Sequence, residues 1–194
     1  MVSQVQVPTR LDLDLVDATP ESIRPVGELI GPDNFQAGLN IPFYTGSVIE
    51  GQPINFHHTG RAVIRCAKVF RRAPEVTWLE RHLHLSQLFI GLGQKPYLMV
   101  LAPPNHVQGH DTPDLAEVKT YRIPGGMALL LHLGTWHDFP IAAEDEATVI
   151  TMNSEEVVQA LVNMPAPGEM QQGDVYKIDV ARRTGTELVL HYPD

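Results

Sequence analysis

The stretch Trp78-Leu79-Glu80-Arg81-His82-Leu83-His84-Leu85-Ser86 decides how this chain is read. Successive side chains of a β-strand point to opposite faces. Trp78, Glu80, His82, His84 and Ser86 therefore share one face, and Leu79, Arg81, Leu83 and Leu85 share the other. The first face is a row of carboxylate and imidazole donors on a stiff element, which suits a divalent ion because the ligands are fixed before the ion arrives. An isolated His-x-His is as often a solvated strand face, so a second window matters. Leu131-His132-Leu133-Gly134-Thr135-Trp136-His137 puts a histidine on each side of a glycine turn, after Pro124-Gly125-Gly126. A strand, a tight turn and a return strand aim His137 at the interior that the first row faces.

Working outward, the 16 prolines and 15 glycines are scattered rather than pooled, and they cut the chain into short segments separated by turn signals. Segments 62–70, 75–90, 97–102, 117–123, 127–131, 147–152 and 175–179 are rich in β-branched, Leu and aromatic residues and are expected as strands. Thr19-Pro20-Glu21-Ser22 supplies a cap and a proline ahead of Ile23, Val26 and Ile30, which predicts a short helix ended by Gly31-Pro32. Residues 155–163 carry Val157, Val158, Leu161 and Val162 at a spacing that fits a helix as well as a strand. The expected organisation is an N-terminal extension, 1–18, followed by a single mostly β domain, 19–194.

The chain has 194 residues, enough for a core without disulfides. Its 23 acidic and 14 basic residues give a formal charge of -9, which argues against a nucleic-acid partner. With 43% hydrophobic residues and a mean hydropathy of -0.09 the composition is that of a soluble globular protein, and no apolar run is long enough to cross a bilayer. The single cysteine, Cys66, cannot form an internal disulfide, so the expected location is the cytoplasm.

The two histidine windows resemble the paired motifs of the cupin superfamily. Within it the chain resembles the ureidoglycolate lyase family, through Glu80-Arg81-His82 with Ser86-Gln87-Leu88-Phe89-Ile90, Leu101-Ala102-Pro103-Pro104, Pro113-Asp114-Leu115, and His132 with Trp136-His137. Thr19 to Ile30 resembles the family's opening helix and turn. The resemblance implies a cupin-type β-barrel, a homodimer, and a lyase that releases glyoxylate and urea from ureidoglycolate or a close small hydroxy acid. It leaves two other readings open: a relative that only binds a small carboxylate, and a metal-dependent dioxygenase.

For that chemistry the candidate metal ligands are His82, His84 and His137, holding a divalent transition ion of the zinc, manganese, nickel or iron kind. Glu80 serves either as an anionic ligand or as the catalytic base, with His132 and Gln87 as further catalytic candidates. Gln87 stands near where the general cupin motif has a glutamate, and it is either a neutral oxygen ligand or a hydrogen-bond partner. Arg81 is a surface charge on the outer face or a clamp for the substrate carboxylate. Trp136 and Asp138 are the other substrate-binding candidates. Two departures from the family pattern stand out: Leu133 where arginine is usual, and Asp138 where histidine is usual. A cationic donor is lost and a negative charge gained, so slow turnover or an altered substrate is expected.

Overall fold

All six residues from Tyr97 to Ala102 are buried, although their side chains alternate between two faces. That is possible only where the strand's sheet is covered on both sides. The computed structural model describes residues 8–193. In chain order the first elements are β1 (Thr9–Asp12), β2 (Leu15–Asp17), α1 (Pro20–Ile23), β3 (Gly27–Ile30), β4 (Ala37–Leu39), β5 (Glu50–Gly51) and β6 (Ala62–Phe70). The central group is β7 (Glu75–Val76), β8 (Trp78–Arg81), β9 (Leu88–Leu92), β10 (Tyr97–Ala102), β11 (Lys119–Ile123), β12 (Ala128–Leu131) and β13 (Trp136–His137). The last are β14 (Ile141–Ala142), β15 (Glu146–Ser154), α2 (Glu155–Val162), β16 (Met170–Gln172), β17 (Val175–Asp179), α3 (Val180–Thr184) and β18 (Thr186–Val189).

The larger sheet runs β16-β17-β8-β13-β10-β11-β2, with β14 also paired to β10. The second runs β3-β12-β9-β15-β6. Tyr97, Met99 and Leu101 of the larger sheet pack with Phe89, Leu129 and Val149 of the second, forming the inner core. Leu98, Val100 and Ala102 point the other way and pack with Leu79, Trp136, Ile178 and Leu188, where β1, β18 and β7 form a small covering sheet. Each such Leu or Phe contributes about 1.5–3 kcal/mol by leaving water. The fold class is mostly β, as the sequence predicts, with two facing sheets in a jelly-roll-type arrangement.

Three local readings change. The N-terminal helix is a single turn: Thr19 caps it through the Ser22 N–H, but Pro25 has no N–H to extend the hydrogen-bond ladder, and Gly27 already begins β3. Residues 155–163 settle as a helix capped by Ser154, because Val157 is buried and Ala160, Leu161 and Met164 pack beside Leu85, Met170 and Val175. The expected strand 75–90 divides into three, with the chain turning at 82–87.

The described part of the segment expected as an extension is built into the sheets: β1 pairs in parallel with β18, and β2 with β11. Residues 1–7 lie outside the described part. Of Leu79, Leu83, Leu85 and Phe89, which the sequence presents as an apolar face needing cover, Leu83 is exposed and the other three are buried inside this chain. Exposed apolar side chains occur elsewhere, at Phe43 (86%), Ile49 (75%), Ile64 (64%) and Phe70 (58%). Among the described residues no helix is long and apolar enough to cross a membrane.

Candidate active site

Register across three adjacent strands of the larger sheet places His137 opposite Glu80 and Glu80 opposite Lys177. Side chains directly opposite one another lie on the same face, so a base, an imidazole and an ammonium form one row. His82, one residue past the end of β8, keeps the strand's alternation and joins the row. Donor atoms of Glu80, His82 and His137 all lie within 4.8 Å of one another, and all three residues are buried. Lys177 Nζ donates to Glu80 Oε2 at 2.7 Å.

Backbone carbonyls orient both imidazoles. His82 Nδ1 faces the carbonyl of Asp174 at 2.7 Å, and His137 Nδ1 faces the carbonyl of Thr135 at 3.0 Å. A carbonyl only accepts, so these partners assign the proton of each ring to Nδ1. Each Nε2 then turns a lone pair toward Gln87 Oε1, at 3.0 Å from His82 and 2.9 Å from His137. Glu80 Oε1 approaches the same point, 3.8 Å from His82 Nε2 and 3.6 Å from His137 Nε2. Two nitrogens and two oxygens thus converge as acceptors, which a cation, added protons or the Gln87 amide turned to present its NH2 would balance. Imidazole, carboxylate and amide oxygen, with ring orientation fixed by outer hydrogen bonds, fit a divalent transition ion.

Burial works against the charge of Glu80, but the Lys177 ammonium outweighs it and holds the carboxyl well below its ordinary range. Burial pushes the His82 imidazole down, toward the neutral form that donates a lone pair.

Of the expected site residues, Glu80, His82, Gln87 and His137 come together. His84 does not. Asp174, in the left-handed region at φ 57°, accepts the Leu83 N–H at 2.9 Å and the His84 N–H at 3.0 Å with its carboxylate. These contacts turn the chain after His82, and the His84 ring lands on Asp174 Oδ1 at 2.8 Å with its side chain 67% exposed. His84 is thus outside the ligand set. His132 also stands apart, part-exposed and 3.8 Å from Glu28, beside a small cavity of about 220 Å³ that Ser86 and Leu133 share.

Arg81 is neither a surface charge nor a neighbour of Glu80. It lies on the opposite strand face, buried, with its guanidinium 4.3 Å from the Trp136 ring centre and 4.8 Å from that of Tyr176. It donates to the His110 carbonyl at 2.8 Å and to Asn105 Oδ1 at 3.3 Å, while Trp136 Nε1 donates to the same Asn105 oxygen at 2.9 Å. Arg81 and Trp136 therefore fasten the 105–110 loop to the outer face, on the far side of the sheet from the metal-type cluster. Asp138 is buried and paired with Arg72, and its carboxylate also accepts the Phe139 N–H at 2.7 Å. The negative charge gained at this position thus already has its counter-charge.

Sequence reasoning did not single out Lys177 or Asp174. Segment 175–179 was legible as a strand, but its register against β8 comes from pairing almost a hundred residues away. Besides meeting Glu80, Lys177 lines a cavity of about 520 Å³ with Trp78, Leu161, Met164 and Met170.

The family model for ureidoglycolate lyase matches residues 14–169. The chain belongs to the ureidoglycolate lyase family. Ureidoglycolate lyases of Burkholderia mallei strains NCTC 10229 and NCTC 10247 are each 25% identical over 152 residues, covering 73% of this chain and 81% of theirs. A dTDP sugar isomerase structure from Desulfovibrio desulfuricans G20 aligns over 80% of this chain and 87% of that chain, with TM-score 0.42 and 17% identity. The region that matches the ureidoglycolate lyase family contains Glu80, His82, Gln87 and His137 and ends before Asp174 and Lys177.

Proposed function

We propose that the chain is a lyase that cleaves ureidoglycolate, or a close small α-hydroxy acid, to glyoxylate and urea. The observation that carries the reading is the buried Glu80 carboxylate set among His82, His137 and Gln87, in a chain of this family. In the reaction the carbinol O–H bond and the C–N bond break, the C=O bond of glyoxylate forms, and the departing urea nitrogen gains a proton. Hydroxyl and urea nitrogen are attached to one carbon, so a single carboxylate can take the proton from the first and return it to the second. Glu80, buried beside both imidazoles, is the group placed to do this, and its burial keeps water from competing.

With Glu80 as the base, His82, His137 and Gln87 are the residues that would hold a divalent transition ion. When bound, it supplies a Lewis acid for the developing carbonyl oxygen. The backbone carbonyls of Asp174 and Thr135 hold both imidazoles in the required orientation. Urea release from racemic ureidoglycolate tests the reading. The wild type is expected to release it and Glu80→Gln to lose at least a hundredfold of the rate, in line with general-base contributions of roughly 10²–10⁴. Absence of urea with the wild type would overturn the reading.

The homodimer belongs to the same proposal. The exposed Phe43, Ile49, Ile64 and Phe70 support it, since large apolar side chains left in water favour association. The lone unpaired cysteine agrees with a reducing, cytoplasmic setting.

A further inference from the structure

A site for an α-hydroxy acid needs a cation for the carboxylate. Three cationic side chains lie on or beside the strands that carry Glu80 and His137. Arg81 faces the opposite side of the sheet, over Trp136 and Tyr176. Arg72 is paired with Asp138. Lys177 is in the row itself, and its Nζ makes one hydrogen bond, to Glu80 Oε2 at 2.7 Å. An ammonium has three donors, so two remain for a ligand. Its side chain is 22% exposed and forms part of the wall of the 520 Å³ cavity, whose other residues include Trp78, Leu161, Met164 and Met170. A single ammonium in a mainly apolar wall, next to a buried carboxylate, suits a small ligand with one carboxylate head.

We propose that Lys177 is the substrate-carboxylate anchor of this chain, supplied from strand β17, beyond the region that matches the family. The anchor rests on the lyase reading for its ligand class, a small α-hydroxy or α-keto monocarboxylate. It makes Lys177 a specificity-determining residue. Glu80 holds the ammonium in place.

The test is calorimetric binding of glycolate and of its neutral amide, glycolamide, to the protein as isolated, beside KM and kcat for ureidoglycolate. The wild type is expected to bind glycolate at least tenfold more tightly than glycolamide. Lys177→Met is expected to lose that preference and to raise KM at least tenfold with a smaller change in kcat, and Lys177→Arg to keep the preference within threefold. A purely structural role would weaken acid and amide alike. Lys177→Gln, which keeps a donor for Glu80, replaces the methionine variant if that one does not fold. The anchor is overturned if the wild type does not distinguish acid from amide, or if the uncharged variants keep the distinction. A wild type that releases no urea yet shows a Lys177-dependent preference for glycolate retains the anchor and loses the lyase reading. Urea release with KM unchanged in Lys177→Met does the reverse.

Discussion

Lys177 Nζ and Glu80 Oε2 meet at 2.7 Å although the residues are 97 positions apart in the chain. The contact follows from antiparallel pairing of β17 with β8, and the same pairing row continues to His137 on β13. A buried carboxylate without such a partner is costly, and breaking a buried pair typically loses about 3–5 kcal/mol. The ion pair therefore ties a C-terminal strand to the chemistry of the central one.

Metal content should follow the geometry rather than the His-x-His pattern. His82→Ala and His137→Ala are each expected to lower bound transition metal by at least tenfold after loading and dialysis, whereas His84→Ala retains it. Elemental analysis of the purified proteins decides this. Loss of metal in His84→Ala equal to that in His137→Ala would contradict the assignment.

Asp174 is expected to matter both for stability and for the site. Its carboxylate caps the Leu83 and His84 N–H groups, and its carbonyl orients His82. Asp174→Ala loses the caps and leaves a methyl side chain at φ 57°, so thermal and urea unfolding should report a loss of about 1–3 kcal/mol. Asp174→Asn, which tolerates the left-handed region and keeps an acceptor, is expected to recover much of it. Metal affinity in Asp174→Ala should fall less than in His82→Ala, because the backbone carbonyl that orients the His82 ring is kept.

Arg81→Ala separates the two faces of β8. The substitution removes the guanidinium from between Trp136 and Tyr176 and frees the 105–110 loop. Urea unfolding is expected to show a loss of about 1–3 kcal/mol, from cation–π contact and hydrogen bonds together. Bound metal should stay at the wild-type level, and a metal loss matching that of His82→Ala would show that the faces are not independent.

Much of this was legible in sequence for a physical reason. Segments 62–70, 97–102 and 175–179 are strands with the expected bounds, because turn residues and β-favouring side chains act locally. Glu80, His82 and His137 were readable because strand alternation and a glycine turn suffice to bring them together, and Gln87 was singled out by its place in the motif that the chain resembles. The positive φ of Gly134 (78°) makes that turn, and a Cβ there would strike the His106 ring. His84 was misplaced because the alternation is broken by Asp174, about ninety residues further along, and no local pattern reports that contact. Arg81 was hard to place for a related reason: its burial depends on Tyr176 and on a loop that folds back over the outer face.

The self-association proposal is settled by size. Static light scattering at micromolar concentration is expected to return about twice the 21.5 kDa chain mass, and Phe43→Ser with Ile49→Ser to shift it toward the monomer. A wild-type monomer at that concentration would remove the dimer.

The most direct measurement of the central claim is the release of glyoxylate and urea from racemic ureidoglycolate by the wild type, Glu80→Gln, His137→Ala and His84→Ala, each at matched folded concentration. The account predicts equal molar release of the two products by the wild type, retained activity in His84→Ala, and losses of at least a hundredfold in Glu80→Gln and His137→Ala. Full activity in Glu80→Gln, or a wild type that releases neither product, would contradict it.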